Sequence, residues 1–331
     1  MTTPLRRGLP FVMAGGVAMV VATIGAPFIG ATELHVGRVF SRSLPFATNV
    51  DAQIFFLARL PRAMAAALVG GTLAAAGVVF QGLLRNGLAT PYTLGVSAGA
   101  ALGAMVAITF GAAWPVGGVA SASLAGAILA VLVVYALASA RHRGLSTTVL
   151  LLAGVTLNAF FSALILFVQY LSDFAETYRA LRWLMGDLDV ASYRPLVAAL
   201  PFVVGAFFAF AWLARPLNLL SLGAEAAGSR GVNVVRAQRV AFFSASIATG
   251  AAVSVGGPIG FVGIIVPHLV RLIVGADHRI VLPASIFFGA TFLVMCDVVA
   301  RTAFSPLELP VGIITALIGG PFFLWLLLRR R

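Results

Sequence analysis

Eight stretches of this 331-residue chain contain no Asp, Glu, Lys or Arg: 8–32, 63–84, 86–140, 144–172, 195–214, 240–270, 280–296 and 309–328. A helix needs about 20 mainly apolar residues to cross hydrocarbon, because every backbone N–H and C=O must be satisfied within the segment. A soluble chain of this length would need roughly 25% charged residues to cover its surface. This one has 10% charged and 61% hydrophobic residues, with a mean hydropathy of +1.05. The expected class is an all-α integral membrane protein.

Composition then removes several kinds of chemistry. All 22 basic residues are Arg. Without Lys there is no Walker A loop and no Schiff-base chemistry. A single cysteine, Cys296, rules out a disulfide scaffold and a Cys-rich metal site. A net charge of +12 is compatible with nucleic-acid binding, but the arginines are scattered between apolar runs rather than gathered on one soluble face. The run 8–32 follows Arg6-Arg7, as a signal peptide would. At 25 residues it is too long for a signal core, so it reads as an uncleaved first span.

The run 86–140 breaks naturally at Trp114-Pro115 and Gly117-Gly118, which gives nine spans. The run 240–270 carries Gly256-Gly257-Pro258 at its middle and can be read as one span or two. Charge decides. Arg6-Arg7 and Arg329 to Arg331 flank the first and last spans, so the positive-inside rule places both termini in the cytoplasm and demands an even number. The ten expected spans are 9–31, 63–84, 92–113, 117–139, 147–170, 195–214, 238–256, 258–275, 280–300 and 309–328, in a single domain over 1–331. In this arrangement the inner side holds fourteen arginines and two acids, and the outer side eight of each. The whole net charge falls on one face.

Outside these spans, 33–62 reads as an amphipathic outer segment, 171–194 as an outer segment of four acids and three arginines around Trp183, and 215–239 as the longest inner segment. The spans themselves hold no central ionisable residue. Asp297 and Arg301 are four apart on one helix face and are expected to pair near its outer end, and His268 follows Pro267 near the inner boundary as a helix-end residue rather than a metal ligand. Ion-coupled carriers need an ionisable relay or ion cage at mid-depth. With neither that nor a phosphate loop, uphill transport would need work from a partner. The Gly-rich stretch Gly95 to Gly103 lies in an apolar span with no preceding strand, and reads as helix packing, not nucleotide binding.

Three strings carry a specific resemblance. RLPRAMAAALVGGTLAAAGVVFQGLLRNGLATPYTLGVSAGAALGA (59–104), GGPIGFVGIIVPHLVRLIVGADHRIVLPASIFFGA (256–290) and ELPVGIITALIGGPFFLWLL (308–327) together resemble the FecCD-type permeases of ATP-binding cassette importers. The resemblance implies the ten-helix type II importer fold. It also implies a partner set: a second, identical permease subunit, two ATPase subunits and a periplasmic substrate-binding protein, in a bacterial inner membrane. Such a chain carries no cofactor and is not an enzyme; ATP and Mg belong to the ATPase.

The resemblance also assigns roles to residues. Coupling to the ATPase falls on Leu222, Gly223, Glu225, Ala226, Gly228, Arg230, Gly231 and Asn233, within a coupling segment 215–239. Docking of the binding protein falls on Arg59, Arg62 and Arg301. The cytoplasmic gate falls on Asn86, Leu88, Ser146 and Thr147, with Gly87 standing where the family usually has Pro. Spans five and ten would line a central cavity at the dimer axis. The implied cargo is an iron chelate, a ferric siderophore or haem, with cobalamin as the alternative. An ion-coupled carrier and an intramembrane enzyme remain as rivals of other classes.

Overall fold

A computed structural model describes residues 3–41, 44–111, 118–139, 146–189 and 192–329. The expected break around Trp114-Pro115, together with Arg42, Arg141, His142, Arg143, Arg330 and Arg331, lies outside them. The described residues are helical with no strand. The principal helices are α1 (Thr3–Gly25), α2 (Leu60–Leu84), α3 (Val96–Thr109), α4 (Gly118–Ser139), α5 (Thr147–Leu171), α6 (Phe174–Leu184), α7 (Arg194–Leu220), α8 (Ala224–Gly228), α9 (Val234–Gly256), α10 (Val262–Val274), α11 (His278–Thr302) and α12 (Val311–Arg329).

Helix α2 is the core of the bundle. It packs against α7, α9, α10 and α11, and nearly all of it from Pro61 to Leu84 is buried. Its sequence explains this position. Ala65-Ala66, Gly70-Gly71 and Ala74 to Gly77 are small, so neighbouring backbones can approach from several sides at once. A Cβ on Gly70 would overlap the Gly289 carbonyl of α11, and one on Gly77 the Gly263 carbonyl of α10. The α3/α4 pair uses the same device: a Cβ on Gly99 would sit 2.6 Å from the Gly126 carbonyl oxygen. Helices at the periphery, by contrast, turn large side chains outward. Leu152, Phe160, Leu166 and Phe167 on α5 and Leu317 and Leu324 on α12 are exposed, as suits surfaces solvated by lipid or covered by another subunit.

Among the described residues seven helices, with α2 counted from Val50, are long and apolar enough to cross a bilayer; α3, α10 and the apolar part of α12 are shorter. Here the structure amends the expected spans 92–113 and 258–275. The first contributes a helical turn at Pro91–Leu94 and then only 14 residues of α3, because Gly95 takes φ +79°. The second is interrupted at Gly257 (φ +68°) and Phe261 (φ +68°), leaving 13 residues of α10. Irregular backbone at such depth is tolerated only where protein satisfies it. Tyr92 Oη donates to the Ile259 carbonyl at 2.5 Å, and Asn158 Nδ2 donates to the Tyr92 carbonyl at 2.8 Å. The two interruptions therefore close on each other.

The segments outside the spans also acquire form. Residues Val50–Gln53 and Ile54–Arg59 run directly into α2, over a cluster of Phe28, Phe40, Phe55 and Phe56. Helix α6 lies within the 171–194 segment, opened by a capping box in which Asp173 accepts from the Glu176 N–H and Glu176 accepts from the Asp173 N–H. The 215–239 segment is shorter than expected. Helix α7 continues to Leu220 and α9 begins at Val234, so only 221–233 leaves the bundle.

Candidate functional site

Helix α2 extends about 37 Å at 1.5 Å per residue, and polar side chains gather at both its ends. At its N-terminal end the structure brings together Arg59, Arg62 and Arg301. Arg62 Nε donates to Asp297 Oδ1 at 2.8 Å and Arg62 Nη1 to Glu308 Oε2 at 2.5 Å. Arg301 Nε lies 3.3 Å from Asp297 Oδ2, which is the i,i+4 pair expected from the sequence. Arg301 also donates to the carbonyls of Ile29 and Ala26 at 2.6 Å, and Arg59 to those of Pro27 at 3.2 Å and Thr32 at 2.7 Å.

Of the three arginines expected at a docking surface, two are buried. Arg62 is 9% and Arg301 4% exposed, and Asp297 beneath them is 1% exposed. Their donors are used to clamp the turn after α1 onto α2 and α11. The physical reason is that a guanidinium brought into a helix junction must be paired, and the bare carbonyls at the end of α1 offer acceptors. Among the three, Arg59 is the most outward. All three line, with Glu308, Arg182 and Tyr178, a cavity of about 780 Å³.

The opposite end carries the expected coupling residues. Chain direction reverses through Gly223 (φ +117°) and Gly231 (φ +81°), conformations that favour glycine. Between them sits α8, held down by the fully buried Ala227. Leu222, Glu225, Gly228, Arg230 and Gly231 point outward and Ala226 is half-buried. Asn233 has a local task, since its side chain accepts from the Arg236 N–H and caps α9.

Directly above this turn, α7 is joined to α11. Asn218 Oδ1 accepts from the His278 backbone N–H at 2.9 Å and from its Nδ1 at 2.7 Å, while Asn218 Nδ2 donates to Asp277 Oδ1 at 2.6 Å. Asp277 in turn caps α11. One layer away, Gln81 of α2 donates to the Gly263 carbonyl at 3.3 Å and accepts from Arg271 of α10. The sequence reading did not bring these five polar residues together. Their only trace was position: Asn218, Gln81 and His278 are isolated polar residues at helix ends, a weak signal until helices are placed side by side.

The expected gate residues lie on two separate loops. Arg85 ends α2 in the left-handed region (φ 49°), and Asn86 Oδ1 accepts from the Leu88 N–H at 2.9 Å to form a tight, exposed turn. A Cβ on Gly87 would meet nothing. Ser146 caps α5 by accepting from the Val149 N–H at 3.5 Å, and Thr147 is its first residue. Among the described residues, no hydrogen bond joins Asn86 or Leu88 to Ser146 or Thr147.

Against known proteins the likeness extends over nearly the whole chain. The cobalamin import system permease of Halobacterium salinarum is 45% identical over 293 residues, covering 88% of this chain and 78% of that one. The hemin transport system permease of Yersinia pestis is 39% identical over 321 residues, covering 95% and 94%. A metal-chelate type ABC transporter solved in an inward-facing conformation superposes with a TM-score of 0.82 at 32% identity, over 97% of this chain and 99% of that one. The model of the FecCD transport family matches residues 18–329. The chain is thus a membrane permease subunit of the ABC transporter class and belongs to the FecCD transport family.

Proposed function

We propose that this permease imports an iron chelate, a ferric siderophore or haem, across a bacterial inner membrane. Ten helices cross the bilayer with both termini in the cytoplasm. Two identical copies form the pathway, two ATPase subunits drive it with ATP and Mg, and a periplasmic binding protein delivers the cargo. The observation that carries the reading is the 221–233 turn. It is small, outward-facing and set on two left-handed glycines, at the end of the bundle where charge places the cytoplasm.

The mechanism follows from what the two ends are tied to. A push on α8 reaches α7 directly, and Asn218 passes it to the start of α11. Helix α11 runs beside α2 to the arginine clamp at the other end. Force on Glu225 and Arg230 therefore has a rigid route through the bundle. On the outer side, Arg59 and the rim of the 780 Å³ cavity supply the surface for a binding protein. Exposed ion pairs there contribute about 0–1 kcal/mol each, enough to align a partner without trapping it.

Cobalamin is the second reading, favoured by the name of the 45% identical Halobacterium salinarum relative. The deciding experiment is reconstitution of the permease with its ATPase and binding protein in liposomes, followed by ATP-dependent uptake of haemin, a ferric siderophore and cyanocobalamin. Uptake of an iron chelate supports the first reading and uptake of cyanocobalamin alone the second. Concentrative uptake by the permease without any ATPase would overturn both.

A further inference from the structure

A groove of about 610 Å³ runs between α7 and α9, away from both polar ends just described. Pro201, Phe202, Gly205 and Ala206 form one wall and Val240, Phe243 and Ile247 the other. The one hydroxyl in it, Ser244 Oγ, already donates to the Val240 carbonyl at 2.6 Å, so the wall presents no unmet polar group. From Arg239 to Ile247 it follows α9 for about 12 Å. Its floor is open at Gly205, where an added Cβ would meet nothing within 4 Å.

One end of this apolar groove is charged. Arg239 lines it, is exposed, and has no carboxylate partner among the described residues. One turn further out, the Arg236 guanidinium lies 5.6 Å from the Trp212 ring of α7, a cation–π pair of the kind found at membrane interfaces. Arg215 is exposed just beyond. No acid lines the groove. A dry slot continuing into two or three cations at the depth of an interfacial tryptophan matches one kind of molecule.

We propose that this groove binds an anionic phospholipid, with an acyl chain along Phe202, Gly205, Phe243 and Ile247 and the phosphate on Arg239 and Arg236. The proposal rests on the membrane-spanning reading, not on the cargo. A lipid wedged between α7 and α9 would brace the two helices that carry α8.

The test is native mass spectrometry of the full-length protein equilibrated with equal amounts of phosphatidylglycerol and phosphatidylcholine. The wild type retains phosphatidylglycerol preferentially. Arg239→Gln lowers that preference about fivefold, the equivalent of ~1 kcal/mol per basic residue near an anionic headgroup. Arg279→Gln, which removes an exposed arginine elsewhere at the same end, leaves it unchanged. Gly205→Leu fills the groove, folds because its side chain enters open space, and releases the retained lipid of either class. Excess glycerol phosphate does not compete, because the chain is part of what is recognised. Equal retention of the two lipids, equal effects of Arg239→Gln and Arg279→Gln, retention undiminished by Gly205→Leu, or displacement by glycerol phosphate would each overturn it. The readout is independent of which way the protein faces, so an error in the assigned topology or cargo does not mimic failure of the site.

Discussion

Replacing Asp297 by Asn isolates the energy of the arginine clamp. The carboxylate is 1% exposed and is shared by Arg62 at 2.8 Å and Arg301 at 3.3 Å, whose side chains are 11% and 4% exposed. Breaking a buried ion pair from one side costs about 3–5 kcal/mol, because the remaining charge is left uncompensated. The amide keeps the volume and one acceptor, and Arg62 retains Glu308 while Arg301 retains two carbonyls, so the low end, about 3 kcal/mol, applies. For a chain of this size roughly 2 °C of melting temperature is lost per kcal/mol, which gives a drop of about 6 °C for D297N in detergent. Glu308 is the internal control. Its side chain is 51% exposed, so E308Q should cost about 1 kcal/mol or less and shift melting by about 2 °C at most. A cycle with Arg62→Met should return a coupling of about 1.5 kcal/mol or more between Arg62 and Asp297. Intrinsic fluorescence or dye-based melting of the wild type, the three single variants and the double variant provides the numbers. A D297N protein melting within about 1 °C of wild type, or an E308Q shift as large as that of D297N, would show that the clamp is not where the stability lies.

Three further outcomes are expected. Glu225→Lys and Arg230→Glu, both exposed on the α8 turn, should cut ATP-driven uptake at least about tenfold while the complex still hydrolyses ATP, as measured by paired transport and phosphate-release assays. Gly77→Val should abolish or severely lower the yield of folded protein on size-exclusion chromatography, since its side chain would enter the Gly263 backbone; Gly205→Leu should not. Ser221→Cys and Asp187→Cys should react with a membrane-impermeant maleimide from opposite sides of sealed vesicles, with the buried native Cys296 silent as background; labelling from one side would end the ten-span topology.

Much of the fold could be read along the chain, because membrane insertion depends on local quantities. Runs without charge, the Gly256-Gly257-Pro258 interruption and the asymmetric arginines all report on single segments meeting a bilayer. The Asp297–Arg301 pair was legible for the same reason, being four residues apart on one helix. The helix α6 escaped notice although its capping-box residues Asp173 and Glu176 stand at the diagnostic spacing, since the segment was read for charge and not for caps.

What the amino-acid order determined by itself was the solvent and the sequence of helices. Tertiary structure alone decided which small-residue helix became the centre: several helices are rich in Gly and Ala, and only packing shows that α2 is the one surrounded. It also decided the fate of the arginines. Arg59 and Arg62 share one motif, yet Arg62 is buried on Asp297, 235 residues away in the chain, while Arg59 stays half-buried. Burial of a charge is settled by partners remote in sequence, and no local pattern encodes them.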